Sequence, residues 1–305
     1  MRVAVTGATG LIGRRVVGAL LDRGDTVEAV SRDAERAREV LGPGPHLHAW
    51  GDPEREAPPE AALAGSDAII HLLGEPVAQR WTPAAKRRIR DSRVLSTGAL
   101  AAAVAALAPP SRPRVLASQS ATGYYGPRGE ESLTEQDRPG EDFLAEVVQA
   151  WEAQALGAAD ATRVVLMRAG VVLSGAGGAL RQMLAPFRLG VGGPLAGGRQ
   201  YVPWIHIEDA VGALLHVIDD ERAVGPVNVT APDPATNREL SRALGRALHR
   251  PALLPVPAAA VKLLYGEMAT IVLTGHRVIP AKLLELGYRF RHPDLDEAVR
   301  SALGT

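Results

Sequence analysis

TGATGLIG, residues 6–13, decides how the rest of the chain is read. It follows the β-branched run RVAVT (2–6) and opens LIGRRVVGALLDRG (11–24), whose apolar residues return at helical spacing. Glycines at 7, 10 and 13 therefore stand where a strand turns into a helix. A dinucleotide's pyrophosphate must reach backbone N–H groups at a helix N-terminus. Side chains at those glycine positions would block either that approach or the packing of helix on strand. The flanking strand and helix supply the context that gives a glycine triplet its weight. Thr6, Gly7, Thr9, Gly10, Leu11, Ile12 and Gly13 are the candidate cofactor-binding residues of this loop.

Outward from the loop the alternation continues: TVEAV (26–30), DAERAREVL (33–41), HLHAW (46–50), DAIIHLL (67–73), a long helix from about Thr82 to Leu107, RVLAS (114–118), a helix over 142–157, and RVVLMR (163–168). Strand and helix alternating at this spacing predict an α/β fold, a Rossmann-type doubly wound parallel sheet with helices on both faces, over residues 1–170. Pro109, Pro110 and Pro113 stop the long helix. From 171 to 305 the texture suits a small C-terminal α/β substrate lobe, with segments around 200–225 returning to the first domain. GVVLSGAGGAL (170–180) and LGVGGPLAGGRQ (189–200) read as loop-like, mobile walls over a cleft. Helices are expected at 236–248, capped by Thr236 or Asn237, and at 257–273.

The second strand ends VEAVSRD (27–33). An acidic residue at such a strand end would hydrogen-bond the ribose hydroxyls of NAD. Ser31 and Arg32 stand there instead, a hydroxyl donor and a guanidinium suited to a 2′-phosphate, so NADP(H) is the expected cofactor. The bland alternative is a solvated Arg32 next to an Asp33 that only caps the following helix. Asp52, in the turn after the third strand, would lie near the adenine.

Composition narrows the partners. The 34 basic and 34 acidic side chains cancel, so no net field recruits nucleic acid or an anionic membrane. A small-molecule substrate is the expected partner, for a monomer or homodimer. Cysteine is absent, which excludes disulfides, thiolate metal sites and a cysteine nucleophile and suits a cytoplasmic setting. No metal site is expected. The longest apolar run, ALAAAVAALA (99–108), is too short to span a bilayer, and no secretory leader precedes the first motif.

With TGATGLIG, IIHLLG (69–74), SQSATGYYG (118–126) and WIHIEDA (204–210) in this order, the chain resembles the extended short-chain dehydrogenase/reductase superfamily. It is closest to the NAD(P)-dependent epimerase/dehydratase-like subgroup that adds a C-terminal domain of unknown function, here about 250–300. That subgroup's marks include GEPVAQRWTPAAKRRIRDSR (74–93), DFLAEVVQAWE (142–152) and RPALLPVPAAAVKLLYGEMA (250–269), and together the motifs cover nearly the whole chain. The resemblance implies an oxidoreductase or nucleotide-sugar-epimerase-like enzyme, or else a non-catalytic NADP(H)-responsive regulatory protein, as the division-related label of some members suggests. It adds Leu72, Gly74 and Arg168 to the candidate cofactor set.

In the superfamily a Ser positions the substrate oxygen, a Tyr transfers the proton, and a Lys four residues later holds the nicotinamide ribose. Ser120 matches the serine, but Leu144 and Val148 fall at the other two positions. None of the five tyrosines is followed four residues later by lysine. Tyr124 and Tyr125 are the remaining candidate proton donors, with a packed aromatic pair as the alternative. Lys86, Arg90 and Arg93, with Arg87, recur at helical spacing and suit a clamp on an anionic substrate, although such a stripe is usually a solvated face. Arg199, Gln200 and Trp204 are the other candidate substrate contacts.

Overall fold

The computed structural model describes residues 1–252 and 254–305. Strand β1 (Arg2–Thr6) leads into helix α1 (Leu11–Asp22), followed by β2 (Thr26–Ser31), α2 (Ala34–Leu41), β3 (His46–Ala49), the short α3 (Glu60–Leu63) and β4 (Ala68–His71). The long α4 (Pro83–Ala106) connects to β5 (Val115–Ala121). Then come β6 (Ser132–Leu133), α5 (Phe143–Leu156) and β7 (Arg163–Ala169). The second half carries β8 (Val171–Leu173), α6 (Gly178–Arg188), β9 (Tyr201–Val202), β10 (Trp204–His206), α7 (Ile207–Asp219), β11 (Gly225–Val229), β12 (Ala235–Thr236) and α8 (Asn237–Ala247). It closes with α9 (Ala258–Tyr265), α10 (Ala269–Leu273), β13 (Arg277–Val278), α11 (Ala281–Glu285) and α12 (Leu295–Leu303).

Seven strands form one sheet in the order β11-β7-β5-β4-β1-β2-β3, every neighbouring pair parallel. Strand order reverses between β1 and β4, and ligands of such sheets bind outside the carboxyl ends at that reversal. Both faces are covered. Val16, Val17 and Leu20 of α1 pack with Ala210, Val211, Leu214 and Val217 of α7 against Val3, Val5, Val115 and Ala117. On the other side Leu100 and Val104 of α4 and Ala155 of α5 meet Ala4, Ile69 and Leu116. Burial on two faces explains why these strands read as unbroken apolar runs.

The edge strand β11, inside GPVNVTAPDP, was not legible as a strand. Its Pro226 is tolerated because one side of an edge strand needs no ladder bond. The glycine-rich stretch after 170, expected as loop, contains α6. Leu180, Leu184 and Phe187 return at i, i+4 and i+7 and bury that face against Leu240 and Leu244 of α8 and Val299 of α12. Thr236 caps α8 through a reciprocal capping box with Glu239, an arrangement worth about 1 kcal/mol. The helix expected over 257–273 is broken, because Gly266 adopts φ +61 and ends α9 before α10 begins.

Candidate active site

The nucleotide loop is shaped by what its glycines lack. Gly7 has φ +66, and a Cβ there would stand 2.8 Å from the Leu72 carbonyl oxygen. A Cβ at Gly13 would collide with the Gly7 carbonyl, so helix and strand could not approach as they do. Gly10 is the N-cap of α1, extended and with no side chain to cap it, so the first N–H groups of Leu11 and Ile12 stay open to an anion. Thr6 is fully buried, its Oγ1 2.7 Å from His71 Nδ1. Thr9 borders the loop half-buried, while Leu11 lies against Gly177 and Gly178 at the start of α6. A cradle that a Cβ would fill, at an uncapped helix terminus, fits a pyrophosphate.

Arg32 is exposed just beyond β2 and forms no ion pair among the described residues. Ser31 is half-buried, its carbonyl accepting from Trp50 N at 2.8 Å. Asp33 does cap α2, accepting from Arg36 N at 3.0 Å. Asp52 is engaged in its own turn, accepting from Glu54 N at 3.2 Å with Arg55 at 3.8 Å.

At the carboxyl end of β5 the polar residues converge on one network. Ser120, 1% exposed, donates from Oγ to Glu152 Oε1 at 2.6 Å. Glu152 in turn accepts Arg168 Nε and Nη2 at 2.8 Å each, a buried bidentate pair. Burial opposes the arginine's charge, but the bonds to Glu152 prevail and hold its pKa above the ordinary value. Arg168 is 3% exposed; it lies over the Tyr124 ring, 3.4 Å from its centroid, and donates to Tyr125 Oη at 3.1 Å. Arg168, a candidate cofactor residue, is thus the hub of this network.

The two tyrosines of the turn differ. Tyr125 is fully buried and donates to Asn228 Oδ1 at 2.7 Å; burial pushes its phenol up to about 12, though Arg168 acts in the opposite sense. Tyr124 is half-buried, and its hydroxyl has no hydrogen bond among the described residues. Leu144 and Val148 of α5 face the same turn, since a Cβ at Gly123 would lie 3.4 Å from Leu144 Cβ and 4.0 Å from Val148 Cγ2.

The remaining candidates are scattered. Arg93 reaches the loop after β4, with its guanidinium against Gly74. Arg199 is exposed, and Gln200 donates to the carbonyls of Leu195 and Val272 at 3.2 and 2.8 Å. Trp204 is 1% exposed, its indole N–H on Asp233 O at 3.2 Å.

Sequence reasoning missed the partners that make this network. Glu152 is a lone acid on the apolar stretch VVQAWEAQAL, and that was the available signal for a buried counterion. Glu135 and Asn228 gave none: Glu135 Oε1 accepts the Asn228 and Lys282 N–H groups, a tie between distant loops. His206, Glu208 and His292 also gather, with the two imidazole centroids 3.9 Å apart.

A model of the NAD dependent epimerase/dehydratase family matches residues 3–230. The chain belongs to that family. A domain of unknown function (DUF1731) matches residues 256–302 of this epimerase-family chain. Among its relatives is epimerase family protein Mb2239 of Mycobacterium bovis, 41% identical over 304 residues that cover 97% of this chain and 96% of the relative. The chloroplastic epimerase family protein SDR39U1 homolog of Arabidopsis thaliana is 38% identical over 99% of this chain and 87% of its own. The crystal structure of human epimerase family protein SDR39U1 (isoform 2) with NADPH matches at TM-score 0.89 and 35% identity, both chains covered in full. The family's Rossmann-like sheet is thus the fold of this chain, and no helix among the described residues is long and apolar enough to cross a membrane.

Proposed function

We propose that this epimerase-family protein is an NADP(H)-dependent oxidoreductase or epimerase-like enzyme acting on a small molecule. The observation that carries the reading is the uncapped N-terminus of α1 beneath the Gly7–Gly13 turn, at the reversal of strand order, with Arg32 just beyond the neighbouring strand and free of acidic partners among the described residues. The relative solved with NADPH supports the same cofactor. A cysteine-free chain suits the cytosol, where we place the protein.

When bound, the nicotinamide supplies hydride chemistry; the chain's own residues do the rest. Backbone N–H groups of Leu11 and Ile12 hold the pyrophosphate, and Ser31 with Arg32 takes the 2′-phosphate. Ser120, its proton donated to Glu152, offers the oxygen lone pairs that accept from a substrate hydroxyl. Tyr124, with its hydroxyl unengaged, is the phenol available to move the proton. Titration with NADPH and NADH, followed by NADPH oxidation against a panel of carbonyl compounds that includes nucleotide sugars, tests the proposal. Failure to bind either nucleotide overturns it.

A second reading rests on Leu144 and Val148, which face the turn with apolar groups where a Tyr and a Lys would act. Under it the protein binds NADP(H) and responds without turnover. NADPH binding with no oxidation of the cofactor by any compound of the panel favours that reading.

A further inference from the structure

Helix α4 carries Lys86, Arg87, Arg88, Arg90 and Arg93 along its first three turns, and the fold separates them. Lys86 pairs with Glu267, Arg88 lies 3.9 Å from Glu75, Arg90 bonds Asp91 at 3.0 Å, and Arg87 is exposed. Arg93 turns inward. Its guanidinium lies 5.2 Å from the centroid of the Trp151 ring on α5, and Nη1 donates to Ile89 O at 2.9 Å. It presses so near the loop after β4 that a Cβ at Gly74 would stand 3.1 Å from it. No carboxylate is within ion-pair distance of Arg93 among the described residues. Glu75 acts on it only from farther off and is itself engaged by Arg88 and Gln79. Desolvation outweighs Glu75 and lowers the guanidinium to about 10.

A cation that gives up water without gaining a counterion is destabilised until an anion reaches it. The surroundings of Arg93 say where that anion comes from. Gly74 follows the β4 end that faces Gly7 through Leu72, and Trp151 precedes Glu152, the acceptor of Ser120. The guanidinium therefore lies against the loop that leaves β4 and against α5, the helix that carries Glu152, its plane steadied by the indole. We propose that Arg93 is the anion-binding group of the substrate site, and that the substrate carries a carboxylate or phosphate next to the carbon that reacts at Ser120. This rests on the NADP(H)-dependent enzyme proposed above. A guanidinium fork matches either oxyanion bidentately.

The test titrates NADPH-saturated protein with succinate and with inorganic phosphate, using succinamide as the neutral control, and follows nucleotide fluorescence and heat. Wild type is expected to bind at least one anion and to ignore the diamide. Arg93→Gln should weaken that anion at least about tenfold while its affinity for NADPH stays at the wild-type value. Arg93→Lys keeps the charge without the fork, so it separates the two sources: it should recover phosphate better than carboxylate. Anion binding equal in wild type and Arg93→Gln overturns the proposal, as does equal binding of diamide and succinate, or a loss of NADPH affinity in Arg93→Gln matching the loss of anion. If wild type binds no NADPH, the functional reading falls by itself, and the same titration on cofactor-free protein then decides the role of Arg93.

Discussion

Ser120 Oγ donates to Glu152 Oε1 at 2.6 Å, so the serine's one proton is committed to that carboxylate and only its lone pairs are left for another partner. A proton donor must then come from elsewhere, and the turn offers two phenols in opposite states. Tyr125 is bonded and sealed, whereas the Tyr124 hydroxyl is unengaged among the described residues. With a carbonyl compound that supports NADPH oxidation, Tyr124→Phe is expected to slow the rate by about 10²- to 10⁴-fold. Ser120→Ala should also slow it, because the oxygen that accepts from the hydroxyl formed at the carbonyl carbon is lost, while Tyr125→Phe should leave the folded protein's rate close to wild type. Full rate in both Ser120→Ala and Tyr124→Phe would refute the assignment.

Glu152 and Arg168 are expected to matter to the fold as much as to the site. Removing the carboxylate leaves Arg168, 3% exposed, with a buried charge and without its ion-pair partner. Breaking such a pair costs roughly 3–5 kcal/mol, whereas replacing both ions by apolar groups costs less. Glu152→Ala should therefore lower the urea midpoint sharply, and Glu152→Leu combined with Arg168→Met should restore part of the loss. An unchanged midpoint in Glu152→Ala would show that the pair contributes nothing to stability.

The same pair marks where sequence reading reaches its limit. TGATGLIG could be read because each part of its chemistry is local: glycines a few residues apart, a strand before and a helix after. Thr82, Asp142 and Thr236 as helix caps are equally local and stand at the helix starts. Glu152 and Arg168 lie 16 residues apart on different elements, and Tyr125 meets Asn228 across 103 residues. No periodicity encodes such pairings; the sheet order creates them. The run SGAGGAL misled for the opposite reason, since its glycines dominate the local signal while Leu180, Leu184 and Phe187 gain their burial from distant helices.

Stability should depend on pH through His71 and Tyr125. His71 lies fully buried between Thr6 and Thr97, and burial pushes it down to about 3 from its ordinary 6.5. Between those values the unfolded chain binds a proton that the fold refuses, so this contribution is present above pH 6.5 and is lost as pH falls toward 3. Tyr125 is raised from 10 to about 12, so its contribution is complete below pH 10 and is lost as pH rises toward 12. Each group can steepen the curve by up to ~1.4 kcal/mol per pH unit inside its window. Urea unfolding across pH should show a shallower acid limb in His71→Gln and a shallower alkaline limb in Tyr125→Phe. Limbs parallel to wild type would exclude these two groups as the titrating ones.

The choice between the two nicotinamide cofactors turns on Arg32. It is exposed beyond the last residue of β2 and free of ion pairs among the described residues. A charge-assisted contact to the 2′-phosphate is worth roughly 1.5–3 kcal/mol, so Arg32→Ala should weaken NADPH by about ten- to a hundredfold. NADH lacks that phosphate, and its affinity should barely change. The variant is a clean probe because Asp33, which accepts from Arg36 N at 3.0 Å, still caps α2 when Arg32 is shortened. Calorimetric titration of both proteins with both nucleotides reads the difference directly. Equal affinity of the wild type for NADH and NADPH would remove the case for a phosphate-binding role here. Arg32 would then be a solvated arginine beside a helix cap.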